Sequence, residues 1–285
     1  MQKRIFILVL ALLVAFCMMP GLGFAATKIV KTSATTYDKE GGEWYVYKVD
    51  KYSYDTKARE TKKSEHFSYY DEDEDDYLDY TNVTTTTYTK KGNIKTVIRK
   101  KEDRGYTYKD VNVFSNGKLT KTNHYYKSNS SGSKYKKDGY TTYSFKSTKN
   151  TIKTYDNNGF LREKIVETKN SKGKITKRVI NDKSFGITTT ETYNSKGLLT
   201  KSVSVDSGDG DSYIDTVKYT YDDYGRLIKE VYKWESSDSK GSYTHKHVYK
   251  GYYKKHKYPT KELIYKNDET KAYLKIINTY KTKKI

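Results

Sequence analysis

Cysteine, proline and aliphatic side chains are all scarce in this 285-residue chain. The single cysteine, Cys17, sits inside an apolar N-terminal stretch. Disulfides, thiolate catalysis and cysteine-based zinc sites are therefore excluded from residues 26–285. Only two prolines occur, Pro20 and Pro259, and no later stretch carries a sustained apolar stripe of period 3.6, so strands rather than helices are expected. Ile, Leu, Val and Phe are thin and the formal net charge is +20, a combination that by itself belongs to disordered chains. Tyrosine resolves the tension: there are 32, beside 8 Phe and 2 Trp. A buried tyrosine ring carries a large apolar area, provided its hydroxyl reaches water or a partner.

The N-terminus reads as an address. Lys3 and Arg4 precede the apolar run from Ile5 to Met19, and Gly23-Phe24-Ala25 supplies a small-x-small cleavage site, so residues 1–25 are expected to be a secretory signal. The run is shorter than the roughly 20 residues a membrane-spanning helix needs. A lipoprotein reading would use Cys17, but Phe16 stands where that processing requires a small residue. A cysteine-free exported protein fits a Gram-positive bacterium.

One segment recurs. Tyr221-Asp222-x-x-Gly225-Arg226-Leu227 is followed in quality by Tyr155-Asp156-x-x-Gly159-Phe160-Leu161 and Tyr193-Asn194-x-x-Gly197-Leu198-Leu199. Looser copies centre on Gly92, Gly117 and Gly173. An aromatic ends a strand, Asp or Asn turns the backbone through side-chain hydrogen bonds, glycine takes the positive φ, and an aliphatic opens the return strand. The pattern resembles the YD repeat of the bacterial RHS and wall-associated protein family. That resemblance implies an exported, surface-associated protein whose repeats bind carbohydrate, and in larger relatives a hollow shell around a toxin; this chain is expected to be too short for such a shell.

Alternation points the same way. Val217, Tyr219 and Tyr221 oppose Thr216, Lys218 and Thr220, while Leu199, Val203 and Val205 oppose Thr200, Ser202 and Ser204. The expectation is an all-β fold: an antiparallel β-meander of YD-type hairpin repeats forming a curled, barrel-like or two-layered sheet of roughly 14 to 18 strands. Its apolar face would be covered and its Thr, Ser and Lys face exposed. Residues 26–285 form one repetitive domain, with degenerate repeats over 26–87, clearer ones over 88–234 and basic strands over 235–285; the loop from Lys127 to Lys134 is its softest point.

Several clusters are candidates for chemistry. Tyr252, Tyr253, Lys254, Lys255 and Lys257 interleave charge with aromatics, an arrangement suited to an anionic polymer, and Trp234 could add a stacking platform or a core residue. Asp71 to Asp76 and the Asp206, Asp209, Asp211 loop carry carboxylates without the ligand spacing of a calcium loop. His245 and His247 share a strand face, lack the further ligands zinc needs, and are expected to be exposed. No cofactor is expected. Nucleophile-elbow, phosphate-loop and His-Glu-x-x-His signatures are absent from the sequence. The leading expectation is a secreted, non-enzymatic protein binding cell-wall or host polysaccharide, with no nucleic-acid partner and no stable membrane insertion. Its alternatives are a structural or adhesin module that joins a protein partner through a sheet edge, and a wall-glycan hydrolase.

Overall fold

The computed structural model describes residues 27–40, 43–71, 76–207, 213–254, 258–267 and 269–284; the expected signal, residues 1–25, lies outside them. Among the described residues every regular element is a strand. The first six are β1 (Thr27–Glu40), β2 (Glu43–Tyr54), β3 (Glu60–Asp71), β4 (Asp76–Tyr88), β5 (Ile94–Lys101) and β6 (Tyr106–Ser115). The next six are β7 (Lys118–Ser128), β8 (Lys136–Phe145), β9 (Lys149–Asp156), β10 (Leu161–Lys169), β11 (Ile175–Asp182) and β12 (Ile187–Tyr193). The last six are β13 (Leu199–Asp206), β14 (Tyr213–Tyr221), β15 (Leu227–Glu235), β16 (Lys240–Tyr252), β17 (Pro259–Lys266) and β18 (Leu274–Lys284).

Each strand pairs antiparallel with its successor, and β18 returns to pair with β1 from Thr27↔Lys284 to Asp38↔Leu274. The meander is therefore a closed 18-stranded barrel. Strands about 4.8 Å apart and tilted by about 40° give that ring a perimeter near 110 Å, wider than side chains can fill. In agreement, the substantial strand contacts run only between hydrogen-bonded neighbours and never to the opposite wall. The ring passes without a break through the loop at 129–135, where the sequence suggested a soft point. Closure also removes the free sheet edge that an edge-joining partner would require.

All six quoted repeat segments are hairpin turns. In the fullest, Asp222 accepts backbone hydrogen bonds on Oδ1 from Tyr224 (2.9 Å) and Arg226 (2.9 Å), and Gly225 sits at φ 77°. Arg226 Nε donates to Asp222 Oδ2 at 2.6 Å. A one-residue bulge between Thr220 and Tyr221 tightens the entry to the turn. Asn194 and Asp156 repeat the backbone bonding at their own turns, with Gly197 and Gly159 donating to the carbonyls of Asn194 and Asp156. A further copy escaped the sequence reading: Tyr54-Asp55-x-x-Ala58-Arg59, in which Ala58 takes the glycine's place at φ 53° and Arg59 Nε reaches Asp55 Oδ2 at 2.6 Å. These arginines also tie hairpin to hairpin, since Arg59 lies over the Tyr88 ring at 4.3 Å and Arg226 over Tyr249 at 4.8 Å.

The wall's two sides depart from the expected pattern. Following the register round the ring, the inward side carries Asn82, Thr122, Thr141, Glu167, Ser202, Tyr219 and Asn278, all buried. Val217 and Tyr219 face inward as expected, but Val203 and Val205 point outward while Ser202 and Ser204 face the lumen. The expectation of an apolar covered face is corrected here. A wide interior lets inward side chains satisfy one another along the wall, so ion pairs and hydrogen bonds replace apolar packing. Arg178 bridges Glu167 and Glu191, each at 2.9 Å; Arg99 meets Asp110 at 2.6 Å; Lys48 and Lys63 converge on Glu65 at 2.8 and 2.6 Å. Inward rings stack between them, as Tyr232 on Tyr243 (centroids 4.6 Å apart) and Phe67 on Tyr80 (5.0 Å).

Candidate functional site

Sorting acids into the lumen leaves lysines to dominate the outer wall. Between β9 and β17 the outward positions read mainly Lys, Thr and Val, and the register sets lysine opposite lysine on neighbouring strands. The pairs are Lys153↔Lys164, Lys201↔Lys218, Lys229↔Lys246 and Lys250↔Lys261. Thr192 stands between Lys177 and Lys201, extending the row across β11 to β14. Among the described residues none of these lysines forms an ion pair with a carboxylate. Like charges directly opposite destabilise a sheet, so this row is a standing cost that a bound anion would relieve.

Three of the pairs lie toward the rim that carries the turn of β14–β15, while Lys153↔Lys164 lies beside the β9–β10 turn at the opposite rim. There Arg226 lies within 5.5 Å of the ring centres of Tyr224, Tyr249 and Tyr252. Tyr224 and Tyr252 are 58% and 40% exposed, enough to offer a ring face to a ligand. Next to them Tyr253 stacks on Tyr280, and Lys254, itself at φ 59°, donates from Nζ to Thr282 Oγ1 at 2.7 Å. Tyr252 thus shares a basic aromatic corner with Arg226 and Tyr224, whereas Tyr253 and Lys254 turn to Tyr280 and Thr282 on the inward side of β18. Lys255 and Lys257 lie outside the described residues.

Trp234 is not part of that corner. It sits at the far end of β15, paired with Gly241 and facing the lumen, and a Cβ at Gly241 would come within 2.0 Å of its ring. Glycine there makes room for the indole, which serves packing.

The histidine pair corrects another expectation. His245 and His247 do share a face, but it is the inward one, and only 9% of the His247 side chain is exposed. His247 Nδ1 meets Glu262 Oε1 at 2.7 Å, and Glu230 Oε2 lies 3.5 Å from both His247 Nε2 and His245 Nδ1. Burial works against charge on both groups, yet the two carboxylates raise His247 to about 9 and the two imidazoles hold Glu230 near 2. The cluster is a buried ion triad. No group of three His, Cys, Asp or Glu side chains fit to hold a metal occurs among the described residues. Residues 72–75 of the acidic run, and Asp209 and Asp211, lie outside them.

Sequence reasoning missed the lysine pairs because each lysine, taken alone, reads as a solvated face. Their signal is the shared parity of lysines in consecutive strands, which becomes visible only with the register.

No family model matches the chain, and no curated protein matches it. Among solved structures, a porin-like protein from Bacteroides uniformis is similar at 12% identity and a TM-score of 0.44, covering 88% of this chain and 98% of the other. A second porin-like protein, from Bacteroides vulgatus, gives 13% and 0.41, with 88% and 99% covered. A chain of a TcdB2–TccC3–Cdc42 structure gives 9% and 0.24, covering 83% of this chain and 16% of that one. The closed barrel rests on its own strand pairing rather than on these likenesses.

Proposed function

We propose that this chain is a secreted, non-enzymatic barrel that binds an anionic polymer at the bacterial cell surface. The polymer lies along the lysine pairs of the outer wall and ends on the rim corner formed by Arg226 with the exposed rings of Tyr224 and Tyr252. The observation that carries this reading is the set of lysine pairs standing opposite one another with no carboxylate of their own. The same wall suits water better than lipid, because a lysine at the mid-plane of a membrane barrel costs about 2–4 kcal/mol. The resemblance of the turns to YD repeats supports a surface-associated, carbohydrate-directed role, and the rings at the corner offer sugar-stacking faces beside the charge.

The test is sedimentation of residues 26–285 with purified Gram-positive cell walls, before and after their anionic polymers are stripped. Binding is expected to vanish on stripping and to fall with added salt. The variant K201Q/K218Q/K229Q/K246Q, whose side chains face outward, is expected to bind at least about tenfold more weakly and with a shallower salt dependence. Unchanged binding in that variant, or binding that survives stripping and salt alike, overturns the reading.

A further inference from the structure

Most inward rings close on one another. Tyr232 lies flat on Tyr243 and Phe67 on Tyr80, with interplanar angles of 13° and 23°. Three tyrosines near the mouth of the lumen, beside the β5–β6 and β7–β8 connections, behave differently. Tyr106 and Tyr108 share the inward face of β6 with Asp110, and the register sets Tyr126 of β7 opposite Tyr108. The Tyr106 and Tyr126 rings stand 6.3 Å apart at 58°, tilted open rather than stacked. Together with Asp138 the three rings line a hollow of about 290 Å³. A bulge brings Asp138 there: Gly139 pairs with His124 and Lys137 with Tyr125, which leaves Asp138 as the extra residue, re-aimed toward the rings. Among the described residues no cationic side chain lies over these three rings, and none of their hydroxyls bonds to a protein atom. The hydroxyls of Tyr54, Tyr88 and Tyr249, by contrast, donate to backbone carbonyls at 2.6, 2.6 and 2.8 Å.

Three electron-rich ring faces and a carboxylate around one hollow suit a cation whose charge is spread over methyl groups. The neighbouring charges narrow the choice. Arg99 and His124 are already engaged with Asp110, at 2.6 and 2.8 Å. Lys101 on β5 stands opposite Tyr106, and Lys136 on β8 stands opposite Tyr126, so both lysines occupy inward positions flanking the rings. Neither lysine nor Asp138 forms an ion pair among the described residues. A bare cation would be repelled by the two ammonium groups, and a bare anion by Asp138. A ligand carrying both charges satisfies all three. We propose that the mouth of the lumen binds a choline phosphate head group. Its quaternary ammonium sits among Tyr106, Tyr108, Tyr126 and Asp138, and its phosphate accepts hydrogen bonds from Lys101 or Lys136. A hollow near the ~300 Å³ lower end of small-molecule sites admits a head group and little more. The rings face the lumen while the lysine pairs of the outer wall face away from it, so this inference does not rest on the polymer-binding reading.

Calorimetric titration of residues 26–285 with phosphocholine is expected to show saturable binding. Choline, inorganic phosphate and phosphoethanolamine are each expected to bind at least about tenfold more weakly, since the first two lack one charge and a primary ammonium is held more tightly by water than a methylated one. The variant D138N is expected to weaken phosphocholine at least about tenfold. K101Q/K136Q is expected to weaken phosphocholine by a similar factor while leaving choline unchanged or tighter. Asp138 and Lys136 are exposed and Lys101 is half-buried, so both variants are expected to melt like the parent. Vesicles of phosphatidylcholine identify the source of the head group. Co-sedimentation that free phosphocholine competes away assigns it to a lipid, and binding of free phosphocholine without co-sedimentation assigns it to a soluble or polymer-borne donor. Phosphocholine that fails to bind, that binds no more tightly than choline or inorganic phosphate, or that binds D138N as it binds the parent overturns the proposal. Wall binding, read separately in the Lys201, Lys218, Lys229 and Lys246 variant, is unaffected by either outcome.

Discussion

Replacing Arg178 by methionine is expected to cost the barrel about 3–5 kcal/mol, lowering Tm by about 10 °C in a chain of this size. Arg178 on β11 reaches Glu167 on β10 through Nε (3.0 Å) and Nη2 (2.9 Å), and Glu191 on β12 through Nη1 (2.9 Å). The carboxylate side chains are only 9% and 13% exposed, so neither can turn to bulk water. Asn150 Nδ2 donates to Glu167 at 2.8 Å and the Tyr193 hydroxyl donates to Glu191, fixing both acids in place. Methionine would fill the volume and leave two uncompensated carboxylates facing each other across one strand. The triple variant R178M/E167Q/E191Q removes those charges together and is expected to recover to within about 1–2 kcal/mol of the parent. Urea denaturation of the three proteins decides. A loss below about 1 kcal/mol for R178M would mean that the pair behaves as a surface ion pair and that the inner wall is fully hydrated.

The His247 and Glu230 contacts are expected to contribute most from about pH 4.5 to 6.5 and to weaken on both sides, with the decline between pH 6.5 and 10 traceable to one histidine. His247 titrates near 9 in the fold, above its ordinary 6.5. Its contribution is therefore complete below pH 6.5 and is lost as pH rises through about 9. Glu230 titrates near 2, below its ordinary 4.5, so its contribution is complete above pH 4.5 and is lost as pH falls through about 2. The two shifts describe the same set of contacts and are not additive; together they amount to about 3 kcal/mol. The variant H247Q is expected to be less stable than the parent at pH 6 and nearly equal to it at pH 10. Thermal melts across that range check the difference, and a parent and variant that run parallel from pH 6 to 10 would contradict the triad.

The local structure was the more legible part of the sequence. Period-two alternation gave the strands, and the Asp222-x-x-Gly225 spacing gave the hairpins, because a turn's chemistry resides in four or five consecutive residues. Ala58 hid a copy of that turn by holding a positive φ without glycine. Which side of the sheet faces inward was not legible, since the usual inference from Val203 and Val205 assumes a dry core that an 18-stranded ring does not have. The pairing of β1 with β18 joins the two ends of the domain and has no short-range signal. For the same reason Tyr252, Tyr253 and Lys254 could be found as a run in sequence, whereas Lys201↔Lys218 and the His247, Glu230, Glu262 triad depend on strands meeting in register.

Closure of the ring underlies the sorting of charge, the hollow interior and the two rims, and one cross-link tests it. Thr35 and Ile277 are directly opposite on the outward side of β1 and β18. Opposed residues in an antiparallel pair have Cα atoms about 4.5–5.5 Å apart, within the span of a disulfide. Residues 26–285 contain no other thiol, so the variant T35C/I277C in that chain reports this seam alone. Mild oxidation of the folded monomer is expected to consume both thiols in an intramolecular disulfide, seen as faster migration on a non-reducing denaturing gel and as a linked peptide by mass spectrometry. Thiols that stay free, or that form only intermolecular dimers, would show an open sheet and contradict the barrel.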